Sequence, residues 1–359
     1  MVIMCGIDAS DKSLVCAIGA GKEEPAIRTY ANTVAKRQKL YEDLKGLQSE
    51  RNAEMIITAY EACGLGFVMH DEMEELGIDC RVLSPGQMKR GIREKKLKTD
   101  ASDAAGIFMD LRGYVLAGNK LPEVWVKPKS IREDLEAARH RVDLGADIGR
   151  KKTQVLAVLK KHGIVVREKE LIWGTTGSEH ADFTAIAESV RIVLEGHLRE
   201  IEMLTEEKKR YDCYLAVLAR KAEYKPLIDS LMKIRGVGVL TAMCFILELG
   251  DMSRFRNRRK LGSYLGLIPM SYESGEASDR KGHITRTGPS RLRKLLNQAA
   301  WVWIGGDNCG NGLFARIVER NPKKKKIAIV GCMRRLSIVM WQTALVAQRG
   351  MQESGEKVA

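Results

Sequence analysis

A set of short apolar runs, each stopping at a carboxylate or a polar turn, limits the fold first. Val2-Ile3-Met4-Cys5-Gly6-Ile7 ends at Asp8, Leu14–Ile18 follows the turn Asp8–Ser13, and Met55–Tyr60 ends at Glu61. Each run is too short for a stable helix yet nearly continuous in its hydrophobicity, as in strands covered on both faces. Asp79–Leu83 reads as a further strand, and helices are expected near 33–49, from Phe67 to Leu76 and from about Thr99 to Leu111. Strands alternating with helices give an α/β domain.

A different period takes over downstream. The stretch 112–130, with Gly113, Gly118, Pro122 and Pro128, reads as a connector, and from 131 to about 225 the pattern is helical. Val190, Leu194, His197, Ile201, Leu204, Lys208, Tyr211, Leu215 and Leu218 alternate spacings of four and three, and seven of the nine are apolar. That is a heptad seam, which must be buried against a second helix, either 131–162 of the same chain or a partner subunit. Residues 231–345 then form a helix-rich basic unit, followed by a polar tail.

No apolar run approaches the ~18 residues that span a bilayer, so no membrane span is expected. Met1–Asp8 has no basic n-region or small-residue cleavage site, so no secretory leader is expected. Eight cysteines stand singly, without zinc spacing, consistent with a reducing, cytoplasmic compartment. The net charge of +14 is concentrated: residues 81–100 carry seven basic and two acidic side chains, and 251–300 carry eleven and four. Clustered cations of this kind are the electrostatic footprint of a polyanion binder.

Four carboxylates carry the candidate chemistry. Asp8 and Glu61 end strands, and Asp100 and Asp103 lie three apart at the start of a helix, so they share one face. Such an oxygen-only set suits two hard divalent cations such as Mg²⁺, which clamp the attacking and leaving oxygens of a phosphoryl transfer. Singly, each has a plain structural reading: Asp100 as a helix cap, Asp103 as a first-turn dipole residue, Glu61 as a solvated strand end. Lys95, Lys96 and Lys98 precede Asp100, where a nucleic-acid backbone would pass.

In the basic unit, Ile234-Arg235-Gly236-Val237-Gly238-Val239 has the form of a helix-hairpin-helix turn, whose glycines let backbone N–H groups approach a phosphate. Arg254, Arg256, Arg258, Arg259, Lys260, Arg280, Lys281, Arg286, Arg291, Arg293 and Lys294 are the candidate phosphate contacts, with Gly236 and Gly238. Ser274 precedes a glycine in a cation-flanked loop and, by residue chemistry alone, is a turn serine.

Taken in order, GIDAS at 6–10, YEACG at 60–64, KTDASDA at 98–104, IRGVGVLTA at 234–242, the segment 255–275 and RLRKLLNQAA at 291–300 resemble the transposases of the insertion-sequence-110 family, including its 1111 subgroup. The resemblance covers roughly residues 3–345. The residue pattern itself gives the linker at 113–130, the coiled-coil helices of a dimerisation region at 131–228 and a disordered tail at 350–359; the resemblance implies a ribonuclease-H-like (RuvC-like) α/β domain, at 1–112, and an α-helical transposase domain, at 229–349. It implies that Asp8, Glu61, Asp100 and Asp103 bind Mg²⁺ as two ions, and that Ser274 attacks a DNA phosphate to give a covalent intermediate. The implied partners are donor and target DNA, a structured guide RNA (the bridge RNA) and further copies of the chain, as a dimer or a tetramer of two dimers. The implied active site is shared between domains across subunits. Relatives commonly carry Ser-Ser-Gly or Gln-Ser-Gly where this chain has Glu273-Ser274-Gly275, and Ser271 and Ser278 stand nearby.

Two other classes fit parts of the sequence. A hydrolytic RuvC-like nuclease or Holliday-junction resolvase would use the carboxylates and leave Ser274 structural, with no covalent adduct. A sugar-kinase or actin-like ATPase would share the strand-GIDAS-strand opening. It also needs a second glycine-rich loop after a strand, which the glycines at 305–312 do not supply.

Overall fold

The structure is a computed structural model that describes residues 1–87, 99–164, 166, 186–271, 281–306, 308–322 and 324–355. It divides into two compact units, Met1–Lys127 and Pro128–Ala359, with the division inside the stretch 113–130.

The first unit is a five-stranded mixed sheet in the order β3-β2-β1-β4-β5. Strands β1 (Val2–Ala9), β2 (Ser13–Ala20) and β3 (Ala26–Ala31) form an antiparallel meander. Strands β4 (Met55–Glu61) and β5 (Asp79–Leu83) run parallel to β1. On one face, α1 (Val34–Glu50) and α2 (Val68–Glu75) bury Leu40, Tyr41, Leu44, Met69 and Met73 against Ile3, Cys5, Ile7 and Tyr60. On the other, α3 (Asp100–Ala117) buries Ala104, Ile107, Phe108 and Leu111 against Met4, Val15, Ile57 and Ala59. The central strands are thus covered twice, which is why they read as unbroken apolar runs.

Three features depart from the sequence expectation. Strand β3 was not anticipated, because nearly all its side chains are exposed and no apolar alternation marks it. Helix α3 runs on to Ala117, through Gly113, and stops where Gly118 takes a left-handed cap at φ 67°. The chain then lies along the open side of β5, with Val124 N–H donating to Val82 O at 2.8 Å and Ser84 N–H to Pro122 O at 2.8 Å. Part of the expected connector therefore blunts a sheet edge.

The second unit is built on α4 (Lys129–Lys161) and α5 (Glu188–Leu218). Pairing of Arg141 with Asp212 and of Lys151 with Glu200 shows that the two helices are antiparallel. Of the heptad positions, Leu194, Ile201, Leu215 and Leu218 are buried. Leu194 and Ile201 share a cluster with Val155 and Leu159 of α4. Of the two partners the seam allowed, the one found here is α4 of the same chain.

The N-terminal half of α4 supplies Ile131, Leu135, Ala138 and Val142 to a larger core. That core includes α6 (Lys225–Met232), α7 (Val239–Leu249), α8 (Arg258–Tyr264) and α9 (Ser290–Ile304). Helix α10 (Asn308–Arg320) packs at its margin, and α11 (Lys325–Glu353) completes it. Helix α11 is long and apolar enough by length and composition alone to cross a membrane, a test that a buried core helix also passes. It packs as a core helix, with Cys332, Leu336, Met340, Trp341 and Ala344 buried. It also stays helical through 350–353 of the expected disordered tail, where Met351 is buried.

Helix α7 is buried on every side from Ala242 to Leu249, and that includes Glu248. Arg139 of α4 reaches it with Nε at 3.0 Å and Nη2 at 3.2 Å. Removing one member of such a pair strands a buried charge, at a cost of about 3–5 kcal/mol, whereas removing both is often neutral. Arg139→Met alone is expected to fall toward the low end of that range, because Arg139 is partly exposed. The double variant Arg139→Met/Glu248→Leu should recover most of the loss. Urea unfolding of the two variants beside wild type measures this, and equal losses in both would contradict it.

Candidate functional site

The carboxylates expected to act together are placed by the sheet register. Ile7 pairs with Tyr60 across parallel strands, so Asp8 and Glu61 are the next residues along neighbouring strands at the same end. By alternation Asp8 follows Met4 and Gly6, and Glu61 follows Ile57 and Ala59, onto the face that α3 covers.

Helix α3 lies antiparallel to β1. Its Ala104 and Phe108 sit at Gly6, while Arg112 near its other end bonds Lys22 O and Glu23 O beyond the end of β2. The first turn of α3 therefore stands at the edge where β1 and β4 end. Asp100 continues the packed stripe Ala104–Ile107–Leu111 by one turn, and Asp103 flanks it. Asp8, Glu61 and Asp103 are half-buried and Asp100 is exposed. Asp100 is not the helix cap. Thr99 takes that role, accepting from Ser102 N–H at 3.2 Å while its own N–H donates to Ser102 Oγ at 3.1 Å.

These four side chains offer only hard oxygen donors, the kind a divalent cation takes. Their donor chemistry suits such an ion, and they gather at one edge of the sheet without closing into a group. As placed, no three His, Cys, Asp or Glu side chains among the described residues form a group that could hold a metal ion.

The basic unit sorts its cations. Arg256, Arg258, Arg259 and Lys260 are exposed, and Asn257 caps α8 by accepting from the N–H groups of Arg259 and Lys260 at 3.0 and 3.1 Å. Arg286 and Lys294 are also exposed. Arg254 is folded inward, its guanidinium 4.1 Å from the Phe255 ring centroid and 4.6 Å from that of Tyr264. Its Nε donates to Leu249 O at 3.0 Å, and burial pulls its pKa below the ordinary value. Arg291 forks onto Asp143 of α4 at 2.6–3.0 Å and holds that carboxyl below its usual range.

Gly236 adopts φ 84° and packs against α9, where a Cβ would lie 2.6 Å from Ala299 O; Gly238 is exposed and open. In this turn, packing alone accounts for the first glycine. Lys95, Lys96, Lys98, Ser274 and Arg280 lie outside the described residues, and Lys281 is described only as the first residue of a strand.

A two-stranded hairpin that no sequence pattern announced, β6 (Pro269–Ser271) with β7 (Lys281–Ile284), brackets Ser274 in the chain. Its strands are too short for a period to show. Arg293 ties the base of this hairpin, with Nη1 donating to Gly288 O at 2.6 Å and Nη2 to Arg286 O at 3.1 Å.

Residues 228–309 match the model of the family described as Transposase IS116/IS110/IS902 family. Over 323 residues the chain is 26% identical to the Sinorhizobium fredii protein y4qE, named as a transposase, covering 90% of this chain and 77% of that one. Over 262 residues it is 24% identical to the transposase for insertion sequence element IS1533 of Leptospira borgpetersenii, covering 72% and 73%. The chain is thus similar to transposases along most of its length and to the IS116/IS110/IS902 transposase family over 228–309. Likeness to a Thermus thermophilus RuvC structure has a TM-score of 0.24 at 12% identity, covering 34% of this chain and 99% of that one. The transposase-family segment begins within α6 and ends within α10, so it takes in α8, the β6–β7 hairpin and α9.

This sorting is measurable. Each phosphate contact contributes roughly 0.9 to the slope of log affinity against log salt. Arg258→Ala/Arg259→Ala/Lys260→Ala is expected to weaken binding to a random-sequence duplex and to flatten that slope by ~2–3. Arg254→Ala should leave the slope unchanged and lower the melting temperature instead. Salt titrations and thermal melts on both variants decide it, and a shallower slope for Arg254→Ala would put that residue on DNA.

Proposed function

We propose that this chain is a DNA recombinase that mobilises an insertion sequence by cutting and rejoining strands through a covalent serine-DNA intermediate. The observation that carries the reading is the carboxylate edge, where Asp8 and Glu61 stand in register on parallel strands with the first turn of α3 beside them. The sheet order β3-β2-β1-β4-β5, antiparallel then parallel about β1, supports a ribonuclease-H-like domain. The family match over 228–309, which contains Ser274, supports a transposase domain in the second unit.

In this reading Asp8, Glu61, Asp100 and Asp103 hold divalent cations, Mg²⁺ as two ions. When bound, these supply charge stabilisation to the oxygens around the reacting phosphorus. Ser274 acts as nucleophile: its Oγ–P bond forms as it loses its proton, and the bond from phosphorus to one deoxyribose oxygen breaks as that oxygen gains a proton. In the return step the hydroxyl of a recipient strand loses its proton as it bonds to the same phosphorus, the Oγ–P bond breaks, and Ser274 regains a proton. The exposed cations of α8, with Arg286 and Lys294, track phosphates and leave base choice to a guide RNA that pairs with donor and target DNA. A serine and a carboxylate set in separate units suit a site shared between subunits of a dimer or larger oligomer.

The test is excision from native context. The gene with its flanking DNA is placed in a heterologous bacterium, and the end-to-end junction of a circular element is amplified. Wild type should give the junction, and Asp8→Ala and Ser274→Ala should each abolish it. A junction from Ser274→Ala would leave a hydrolytic, RuvC-like mechanism with no protein-DNA adduct. Mixing Asp8→Ala with Ser274→Ala protein should restore part of the activity if the site is shared between subunits, and no rescue would count against that arrangement.

A further inference from the structure

Resting on the serine reading above, we propose that Arg293 is a positioning residue that locks the base of the β6–β7 hairpin, between whose strands Ser274 falls in the sequence, and acts through backbone carbonyls and not through DNA phosphates. Its guanidinium joins the two ends of that hairpin. Nη1 donates to Leu265 O at 3.2 Å on the chain entering β6, and to Gly288 O at 2.6 Å on the chain leaving β7. Nη2 donates to Arg286 O at 3.1 Å on the same leaving side.

The backbone around it has no slack. A Cβ at Gly288 would lie 1.9 Å from Tyr264 O, so the leaving chain is seated directly on the C-terminal end of α8. Arg286 holds φ 56°, a left-handed conformation that a non-glycine residue adopts at a cost. Thr285 N–H donates to Ile268 O at 2.9 Å and Arg286 N–H to Gly266 O at 3.3 Å, closing the base below the strands. A planar fork with five donors can serve three carbonyls at once, which a lysine ammonium cannot do in the same geometry. Burial and the nearby Arg286 charge both pull the Arg293 pKa below its ordinary value. To meet a phosphate, Arg293 would have to give up these bonds and unseat the hairpin.

A catalytic group displaced by about 1 Å loses on the order of 100-fold in rate. The experiment compares full-length wild type, Arg293→Ala, Arg293→Lys, Gly288→Ala and Ser274→Ala. It reads junction formation, affinity for a random-sequence duplex across salt concentrations, and helix content with melting by circular dichroism. The expected result is a loss of about 100-fold in junction formation for Arg293→Ala, partial recovery in Arg293→Lys, and a comparable loss in Gly288→Ala. Duplex affinity and its salt slope stay at wild-type values throughout.

A salt slope shallower by roughly one in Arg293→Ala would make it a phosphate contact and overturn the proposal. Wild-type junction yield in Arg293→Ala overturns it too, as does loss of helix content in both Arg293 variants, which would make the residue one the fold itself requires. Ser274→Ala separates the two readings. If it still forms the junction, the serine reading fails on its own, whatever the Arg293 variants do.

Discussion

Strand β1 and helix α3 meet backbone to backbone at Gly6, and the first unit depends on that contact. A Cβ there would lie 2.4 Å from Phe108 N and 2.5 Å from Ala104 O, so no other residue type lets the helix sit where it does. The contact fixes more than packing. With α3 pressed onto β1 at this point, its first turn falls at the end of the sheet, and Asp100 and Asp103 are brought to the edge that Asp8 and Glu61 already occupy. A larger residue at 6 would lift the helix, and two of the four carboxylates would move with it. Strand register sets one half of this edge and a glycine sets the other.

The basic unit rests on a distinction among cations that composition hides. Arg254, Arg291 and Arg293 lie in the same charge-rich window as Arg256, Arg258, Arg259 and Lys260, yet each has internal work. Arg254 lies over two aromatic rings, Arg291 forks onto a carboxylate, and Arg293 gathers carbonyls. All three are arginines, whose planar, weakly hydrated guanidinium suits partly buried, multi-donor sites. A net positive window thus contains a framework as well as a set of exposed cations. Counting charge located the window but could not say which residues face solvent.

What was legible in the sequence follows the same physics. Strands β1, β2 and β4 could be read because both faces are covered, and their continuous apolar runs follow from that. Strand β3 could not, since its exposed Ala26–Ala31 carries no burial pattern at all. The seam of α5 was visible as a heptad, but a heptad is indifferent to whether its partner is α4 or another subunit; the pairs Arg141–Asp212 and Lys151–Glu200 supply that answer only in three dimensions. Asp100 was ambiguous between ligand and cap because an aspartate at a helix start serves either purpose. The Thr99–Ser102 capping box removes the second role. The β6–β7 hairpin was missed for want of length, and its bracing by Arg293 and Gly288 is a long-range fact that no local window contains.

The carboxylate edge and the basic unit also differ in the sign of charge they gather, and this bears on where a nucleophile belongs. Four carboxylates at one edge repel a phosphate unless cations intervene. The N-terminal end of α3 offsets only a fraction of that, typically 0.3–1 kcal/mol per favourable charge. An acidic edge is therefore a place for cations, and phosphates reach it only through them. The basic unit presents exposed cations on α8 and α9, to which a phosphate needs no intermediary. In the proposed reaction the serine belongs to the segment between β6 and β7 in the unit rich in exposed cations, and the carboxylates belong to the edge whose oxygens suit cations.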